Sequence, residues 1–132
     1  MVDQKVRPFL MFQGKAEEAM TFYVSHLPRS RMIDIVRYGS NEAGPEGSVK
    51  KATFSIDGQM LMCTDSVVQH GFGFTPALSL FVDCDSEDDI GRLATVLSEG
   101  GAVHMPLGNY AFSRKFAWVN DRYGVSWQLN LP

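Results

Sequence analysis

The sequence contains little cysteine, no long apolar run and no excess of positive charge. Its two cysteines, Cys63 and Cys84, are too few for a disulfide framework in a chain of 132 residues, so we expect reduced thiols in a cytoplasmic protein. The net charge of −3 offers no basic surface for nucleic acid. No apolar stretch approaches the roughly 20 residues of a membrane-spanning helix, so we expect no membrane partner. The first residues show no charged leader followed by a long apolar region, so we expect no signal peptide.

What the sequence does have is one pattern of elements, present in both halves. The first half begins with an apolar, strand-like run at residues 6–12. Residues 15–27 then place apolar side chains at helical spacing, and residues 31–38 are rich in β-branched residues. Two further apolar runs flank Asp57 and Gly58. An Asp-Gly pair in this setting predicts a hairpin, because both turn residues need positive φ.

The second half repeats this order. Residues 76–83 are strand-like, and Ser86 followed three residues later by Asp89 is a capping box at the start of a helix. The pair Gly100 and Gly101 supplies the stop signal of that helix. Three strand-like segments follow, at residues 102–107, 115–120 and 125–131.

Each half is therefore predicted as a βαβββ module in an α+β protein. We expect one domain over residues 1–132, with module one at 1–65, a linker at 66–75 and module two at 76–132. Four strands and one helix can cover only one face of a sheet. Two modules can then form a curved sheet around a cleft, with the helices on the outer face, and such clefts are common ligand sites.

This plan resembles the vicinal-oxygen-chelate superfamily, which includes glyoxalase I, extradiol dioxygenases, fosfomycin-resistance enzymes and bleomycin-binding proteins. Three segments are similar to its PhnB-like branch, whose members often carry the name 3-demethylubiquinone-9 3-methyltransferase. They are RPFLMFQGKAEEAMTFY, SLFVDCDSEDDI and MPLGNYAFSRKFAWVNDRYGVSWQL. The resemblance covers nearly the whole chain.

The methyltransferase name implies an activity that the residues do not favour. Enzymes that use S-adenosylmethionine usually have a Gly-rich turn between a strand and a helix of a parallel sheet. The Gly-rich loop here, residues 39–47, precedes a strand-like segment, and a lone Gly-rich loop is weak evidence in any case.

The resemblance also implies four metal-ligand positions. Counted along the modules, these fall on Pro8, Met62, Ala77 and Gln128. A divalent cation needs several carboxylate, imidazole or carbonyl groups converging on it, and only Gln128 offers a hard donor atom. We therefore expect no metal and no other cofactor.

The same positions predict which side chains line the cleft, because residues alternate between the two faces of a strand. If the former ligand positions point inward, the cleft is apolar and aromatic with a few neutral polar groups. Of the three histidines, His104 is the one retained as a candidate. The predicted ligand-binding residues are Leu10, Phe12, Met62, Thr64, Ser79, Phe81, His104 and Gln128. Cys63 has the opposite parity and is expected to be a buried, structural thiol.

These residues predict a metal-independent small-molecule binding protein, with a homodimer as its expected assembly. A small-molecule enzyme of the same superfamily, isomerase- or lyase-like, is the alternative. A third possibility is a module whose cleft serves assembly alone. The ligand itself cannot be named from the residues.

Overall fold

The structure is a computed structural model that describes residues 4–132. It shows an α+β protein in which strand, helix and three strands occur twice, which confirms the two predicted βαβββ modules. The chain divides into two compact units, the first ending at His70 and the second beginning at Gly71. This boundary falls inside the segment predicted as a linker. No helix within residues 4–132 is long and apolar enough to cross a membrane.

Module one carries a single four-stranded sheet, here called sheet 1, with the strand order β1-β4-β3-β2. Strand β1 runs parallel to β4, and the other neighbours are antiparallel. The elements are β1 (Phe9–Phe12), α1 (Ala16–His26), β2 (Ser30–Arg37), β3 (Val49–Ile56) and β4 (Gln59–Asp65).

Module two repeats this arrangement in sheet 2, with the strand order β5-β8-β7-β6. Here β5 is parallel to β8, and the remaining pairs are antiparallel. The elements are β5 (Ser79–Asp83), α2 (Glu87–Ser98), β6 (Ala102–Tyr110), β7 (Ser113–Asn120) and β8 (Ser126–Leu131).

Helix α1 covers one face of sheet 1. Cys63 on β4 is fully buried, and its Sγ lies 3.8 Å from Sδ of Met20 on the helix. Tyr23 of the same helix stacks on Phe54 of β3, with ring centroids 6.3 Å apart. The apolar stripe predicted for this helix is therefore the face that packs against the sheet.

Helix α2 covers the corresponding face of sheet 2. Lys115 on β7 pairs with Glu87 in the first turn of the helix, with 3.7 Å between Nζ and Oε1. Side chains of the same parity, such as Val119 and its cross-strand partner Trp127, are buried on this side. Ser86 accepts the backbone N–H of Asp89 at 3.2 Å, as the capping box predicted.

Glycines form the turn between β3 and β4 and the segment that ends helix α2. Asp57 and Gly58 adopt φ values of 48° and 85°, as expected for the turn between β3 and β4. After α2, Gly100 has a φ of 76°. Gly101 leaves no room for a side chain, since a Cβ atom there would lie 2.0 Å from the carbonyl oxygen of Asn120.

Asp65, at the end of β4, ties three segments of module one together. Its Oδ1 accepts the backbone N–H groups of Gly14 and Ala16, each at 2.9 Å, and Oδ2 accepts that of Val49 at 3.0 Å. The carboxylate thus satisfies a free N–H at the start of α1, where Lys15 makes no side-chain cap. This anchor fixes where the helix leaves the sheet.

Candidate ligand-binding site

The face of sheet 2 opposite α2, called here the helix-free face of module two, brings together three of the predicted site residues. Phe81 on β5 pairs with Gln128 on β8, and Ser79 pairs with Ser126. On the other side of β8, Gln128 pairs with Trp118 of β7. Because paired residues point to the same side of a sheet, these five side chains share one face.

Four of these side chains form a chain of hydrogen bonds. Trp118 Nε1 donates to Ser126 Oγ at 2.9 Å, and the hydroxyls of Ser126 and Ser79 lie 2.6 Å apart. Gln128 Nε2 donates to Ser79 Oγ at 3.2 Å. Its carbonyl oxygen, Oε1, accepts no hydrogen bond from any residue in the range 4–132. Gln128 therefore presents a free acceptor on a half-buried surface.

An aromatic cluster lies beside this polar chain. Phe81 is 59% exposed, and its ring centroid lies 6.4 Å from that of Phe116, which is buried. Phe116 makes edge-on contacts with Phe112 at 4.9 Å and with Tyr110 at 6.2 Å. These rings extend from β5 to the hairpin between β6 and β7, so the face is predominantly aromatic.

A second polar group closes the opposite end of the cluster. Asn130 Nδ2 donates to Asp83 Oδ1 at 2.9 Å, and Ser113 Oγ donates to Asn130 Oδ1. Asp83 is exposed on β5. The aromatic surface therefore lies between a neutral polar chain at Gln128 and a single carboxylate at Asp83.

His104 of β6 is exposed, and its ring centroid lies 4.8 Å from that of Trp118. Trp118 was not among the predicted site residues, although its ring links His104 to the polar chain. The signal that could have found it is its strand parity, which matches that of Gln128 across the β7–β8 hairpin.

In module one the corresponding helix-free face of sheet 1 contains Met62 and Thr64. Met62 pairs with Phe9 of β1, and Thr64 pairs with Met11. Thr64 Oγ1 donates to the carbonyl of Lys50 at 2.8 Å. This face is rich in thioether and aromatic groups, and it has no counterpart to the free amide acceptor at Gln128.

The structure places Leu10 and Phe12 on the helix-covered face, opposite to the orientation that we predicted. Leu10 pairs with Cys63, which contacts α1, and only 6% of Leu10 and 4% of Phe12 are exposed. The residue that faces away from the helix is Phe9, which is 57% exposed. The count that started from Pro8 therefore assigned the side chains of β1 to the wrong faces of the sheet.

Leu78 has the strand parity of the side covered by α2, opposite to that of Ser79. It precedes β5 and is exposed. By contrast, Ser79, Phe81 and Gln128 have the orientation that the strand parity predicted.

The two modules place equivalent residues at the same point of their sheets. Met62 and Gln128 each stand four positions after a turn glycine with positive φ, and each pairs with an exposed phenylalanine of the first strand. Phe9 therefore corresponds to Phe81. The equivalent position therefore holds a thioether, Met62, in module one and an amide, Gln128, in module two.

The donor atoms at the four positions implied by the superfamily do not fit a metal ion. Pro8, Met62 and Ala77 provide no oxygen or nitrogen side-chain donor, and Gln128 provides one neutral carbonyl. Within residues 4–132, no three His, Cys, Asp or Glu side chains are grouped so that they could hold a metal.

Neither cysteine is suited to nucleophilic chemistry. Burial, with a smaller contribution from the charge of Asp65, raises the pKa of the Cys63 thiol to about 12. Burial, together with the nearby Asp89, raises the pKa of Cys84 to about 11. Both are free, buried thiols, so the thiolate that acts as a nucleophile is scarcely populated at neutral pH.

The Gly-rich segment does not form the turn that a methyl-donor site of the usual kind requires. It joins β2 to β3, which are antiparallel neighbours. The ring of Tyr38 lies against Gly44, where an added Cβ would approach to 2.5 Å, and Glu42 accepts the N–H of Gly39 at 2.7 Å. The loop is thus filled by its own side chains.

The two βαβββ modules form a fold that this chain shares with a fosfomycin resistance protein described below. Within that fold, the chain belongs to the family described as 3-demethylubiquinone-9 3-methyltransferase, whose model matches residues 4–130. The methyltransferase activity is part of the family's name, and the geometry of residues 39–47 does not support it.

Among the similar solved structures, two illustrate a match over almost the entire chain. A PhnB protein from Bacillus cereus, which carries the same methyltransferase name, is 54% identical; the match covers 98% of this chain and 100% of that one, with a TM-score of 0.95. PA1353 from Pseudomonas aeruginosa is 28% identical, covers 98% of both chains and has a TM-score of 0.84.

A more distant neighbour shows the fold alone. It is a mutant of the fosfomycin resistance protein FosX of Listeria monocytogenes in complex with Mn(II), at 11% identity and a TM-score of 0.67. The match covers 100% of this chain and 94% of that one. At this identity the manganese belongs to that protein and implies nothing about the donors present here.

Proposed function

We propose that this protein binds a small, flat and largely apolar molecule on the helix-free face of module two, without the help of a metal ion. The observation that carries the proposal is the position of Phe81 beside Gln128. An exposed aromatic ring that is paired with an amide whose carbonyl is free combines apolar contact with one directional polar contact. Ligand sites are typically built in this way, from an apolar wall and a few placed polar groups.

The lining of this face supports binding more than catalysis. The polar chain formed by Trp118, Ser126, Ser79 and Gln128 consists of neutral groups. General acid–base catalysis needs a positioned group that exchanges a proton near the operating pH, and none of these four side chains does so. The face can therefore hold and orient a molecule more readily than it can transform one.

The first experiment is mass spectrometry of the purified protein under conditions that retain bound molecules, combined with a screen of planar aromatic compounds. We expect a bound or selected compound whose affinity falls about tenfold or more in Phe81→Ala, because the exposed ring supplies stacking area. Val103→Ala, a truncation of an exposed side chain on β6, serves as the matched control and should leave affinity unchanged. Equal binding by the Phe81→Ala variant would contradict the assigned face.

Metal independence is tested by elemental analysis of protein that has not been exposed to chelators. We expect no stoichiometric divalent ion, because three of the four implied ligand positions carry no hard donor. About one Ni, Zn, Mn or Fe per chain, lost on changing Gln128 to Ala, would show that the proposal is wrong.

We also propose a homodimer in the cytoplasm. The segment from Ser66 to Pro76 exposes Val67, Val68 and Phe72, and a second copy could bury such an apolar surface. The free thiols of Cys63 and Cys84 suit a reducing compartment. Light scattering at micromolar concentration should give twice the mass of one chain, and a monomer there would count against the dimer.

The alternative is an isomerase- or lyase-like enzyme, and one observation favours keeping it. His104 is exposed, and its ring packs beside Trp118, next to the polar chain. An imidazole at this position could act as a general acid or base toward a bound molecule. Conversion of a screened ligand that is lost in His104→Ala while binding is retained would favour the enzyme.

A further inference from the structure

We propose that the helix-free face of module two selects uncharged ring compounds that carry an N–H next to a C=O, the edge presented by lactams and other cis-amides. This inference rests on the function proposed above and adds the chemical class of the ligand. It follows from the direction of each hydrogen bond in the polar chain, which determines what the chain leaves free.

Both ends of the polar chain are nitrogen donors. The indole N–H of Trp118 can only donate, and it donates to Ser126 Oγ. The amide nitrogen of Gln128 donates to Ser79 Oγ. Each hydroxyl oxygen therefore already accepts one hydrogen bond, and the bond between the two hydroxyls, at 2.6 Å, must use the hydrogen of one of them.

Burial decides which hydroxyl donates. Ser126 is 1% exposed, and residues 4–132 offer its Oγ no partner besides Trp118 and Ser79. If Ser79 donated, the hydrogen of Ser126 would be buried without an acceptor, which is an unfavourable arrangement. Ser126 therefore donates to Ser79. The hydrogen of the half-buried Ser79 hydroxyl is then free to reach a ligand.

The face thus offers one free donor and one free acceptor side by side. The donor is the hydroxyl of Ser79, and the acceptor is Oε1 of Gln128. The Nε2 atom of the same amide is hydrogen-bonded to the Ser79 hydroxyl oxygen. The second N–H of the Gln128 amide is a further donor at the same place. A ligand satisfies this pair when its N–H points to Oε1 and its C=O accepts from Ser79 or from the amide.

The charges on this face favour a neutral ligand. A carboxylate could accept from the Ser79 hydroxyl and from the amide N–H, but it has no hydrogen to donate to Oε1 of Gln128, and Asp83 lies two residues beyond Phe81 on β5. Asp83 is held by Asn130 Nδ2 at 2.9 Å.

Three compounds of similar ring shape separate the polar contact from the apolar one. 2-Quinolinone has the N–H and C=O edge, N-methyl-2-quinolinone lacks the donor, and naphthalene lacks both groups. For the unaltered protein we expect 2-quinolinone to bind about 5- to 50-fold more tightly than the N-methyl compound, since the latter leaves Oε1 unpaired. Isothermal titration calorimetry or ligand-observed NMR measures all three affinities.

Two variants assign the effect to Gln128. In Gln128→Met, which keeps the length and removes the amide, the preference for 2-quinolinone should fall to about twofold or less, while naphthalene still binds. Gln59→Met, a matched change at an exposed glutamine of module one, should keep the full preference. Denaturant unfolding of both variants checks that the fold is retained.

Each outcome has a distinct meaning. If all three compounds bind with similar affinity, the proposed function stands and the inference is overturned. A preference that persists in Gln128→Met also overturns the inference, because a group other than Gln128 then binds the N–H and C=O of the ligand. If none of the three compounds binds up to its solubility limit, the proposed binding function itself is contradicted, and the inference fails with it.

Discussion

Asp121 Oδ2 accepts a hydrogen bond from the indole Nε1 of Trp127 at 2.9 Å. The other oxygen, Oδ1, accepts the backbone N–H groups of Tyr123 at 2.8 Å and Val125 at 3.1 Å. Asp121 and Trp127 are both buried. The aspartate that begins the turn between β7 and β8 therefore also anchors the indole on the side covered by α2, so the turn and the core of module two depend on one carboxylate.

Replacing Asp121 by Asn should destabilise the protein by about 2–3 kcal/mol, because the amide keeps one acceptor and its NH₂ group must face another N–H. Urea unfolding measures the change. Trp127→Phe provides the paired variant, since it removes the indole donor and keeps an aromatic ring. The loss in the double variant should be smaller than the sum of the single losses. Stability within about 0.5 kcal/mol of the original in Asp121→Asn would refute this role.

We expect a comparable loss of stability in module one when Asp65 is replaced. Its two oxygens accept three backbone N–H groups at 2.9–3.0 Å, and an amide cannot accept all of them. Asp65→Asn should therefore cost about 2–3 kcal/mol of unfolding free energy. Asp83→Asn is the matched control: this exposed carboxylate accepts one side-chain amide, so its loss should cost under about 1 kcal/mol. Equal effects of the two changes would contradict the anchoring role of Asp65.

Because both cysteine thiols are buried, we expect the native protein to react slowly with thiol reagents and to lose stability at high pH. Native protein should react slowly with a thiol reagent at pH 8, whereas unfolded protein should react at the rate of a free cysteine. The raised pKa values, about 12 for Cys63 and about 11 for Cys84, mean that the folded state retains protons that the unfolded state releases. This contribution is complete below the ordinary thiol pKa of about 8.5 and is lost as the pH rises toward 11–12.

Cys63→Ala should show a smaller loss of stability between pH 9 and 11 than the unaltered protein. Each thiol contributes up to about 1.4 kcal/mol per pH unit in that range. Unfolding in denaturant at several pH values gives the slope. An identical slope for both proteins would mean that the Cys63 thiol titrates alike in the folded and unfolded states.

The element order was predictable because its signals are local. The Asp57 and Gly58 turn, the cap at Ser86 and the stop at Gly100 each depend on a few neighbouring residues, and each was found where it was expected. The phase of β1 was not predictable in this way. Its four residues, FLMF, are all apolar, so no alternation marks the covered side. In β5 the polar Ser79 and Asp83 mark the exposed parity.

The candidate site was predictable only in part for a related reason. Phe81 and Gln128 follow from strand parity, and the structure pairs them directly. The chain through Trp118, Ser126 and Ser79 depends on strand register and on side-chain rotamers across three strands. Such long-range geometry leaves no mark in a short stretch of sequence. The role of Asp65 was missed for the same reason, since its partners lie 16 to 51 residues away.

The orientation of the first strands gives the last prediction, which compares two phenylalanines. Phe12 is 4% exposed on the side of α1, whereas Phe81 is 59% exposed on the helix-free face. Phe12→Ala should therefore cost about 3–5 kcal/mol of unfolding free energy, through lost burial and the cavity that remains. Phe81→Ala should cost less than about 1 kcal/mol, because an exposed ring has few packing contacts to lose.

Denaturant unfolding of the two variants under identical conditions measures this difference. Phe9→Ala, at the position in module one that corresponds to Phe81, should behave like Phe81→Ala and not like Phe12→Ala. Binding of a planar aromatic compound provides the second measurement. Binding should weaken in Phe81→Ala although the fold is retained, because the variant lacks the exposed ring that contacts the ligand. A large stability loss in Phe81→Ala, with little loss in Phe12→Ala, would mean that the faces of the strands are exchanged.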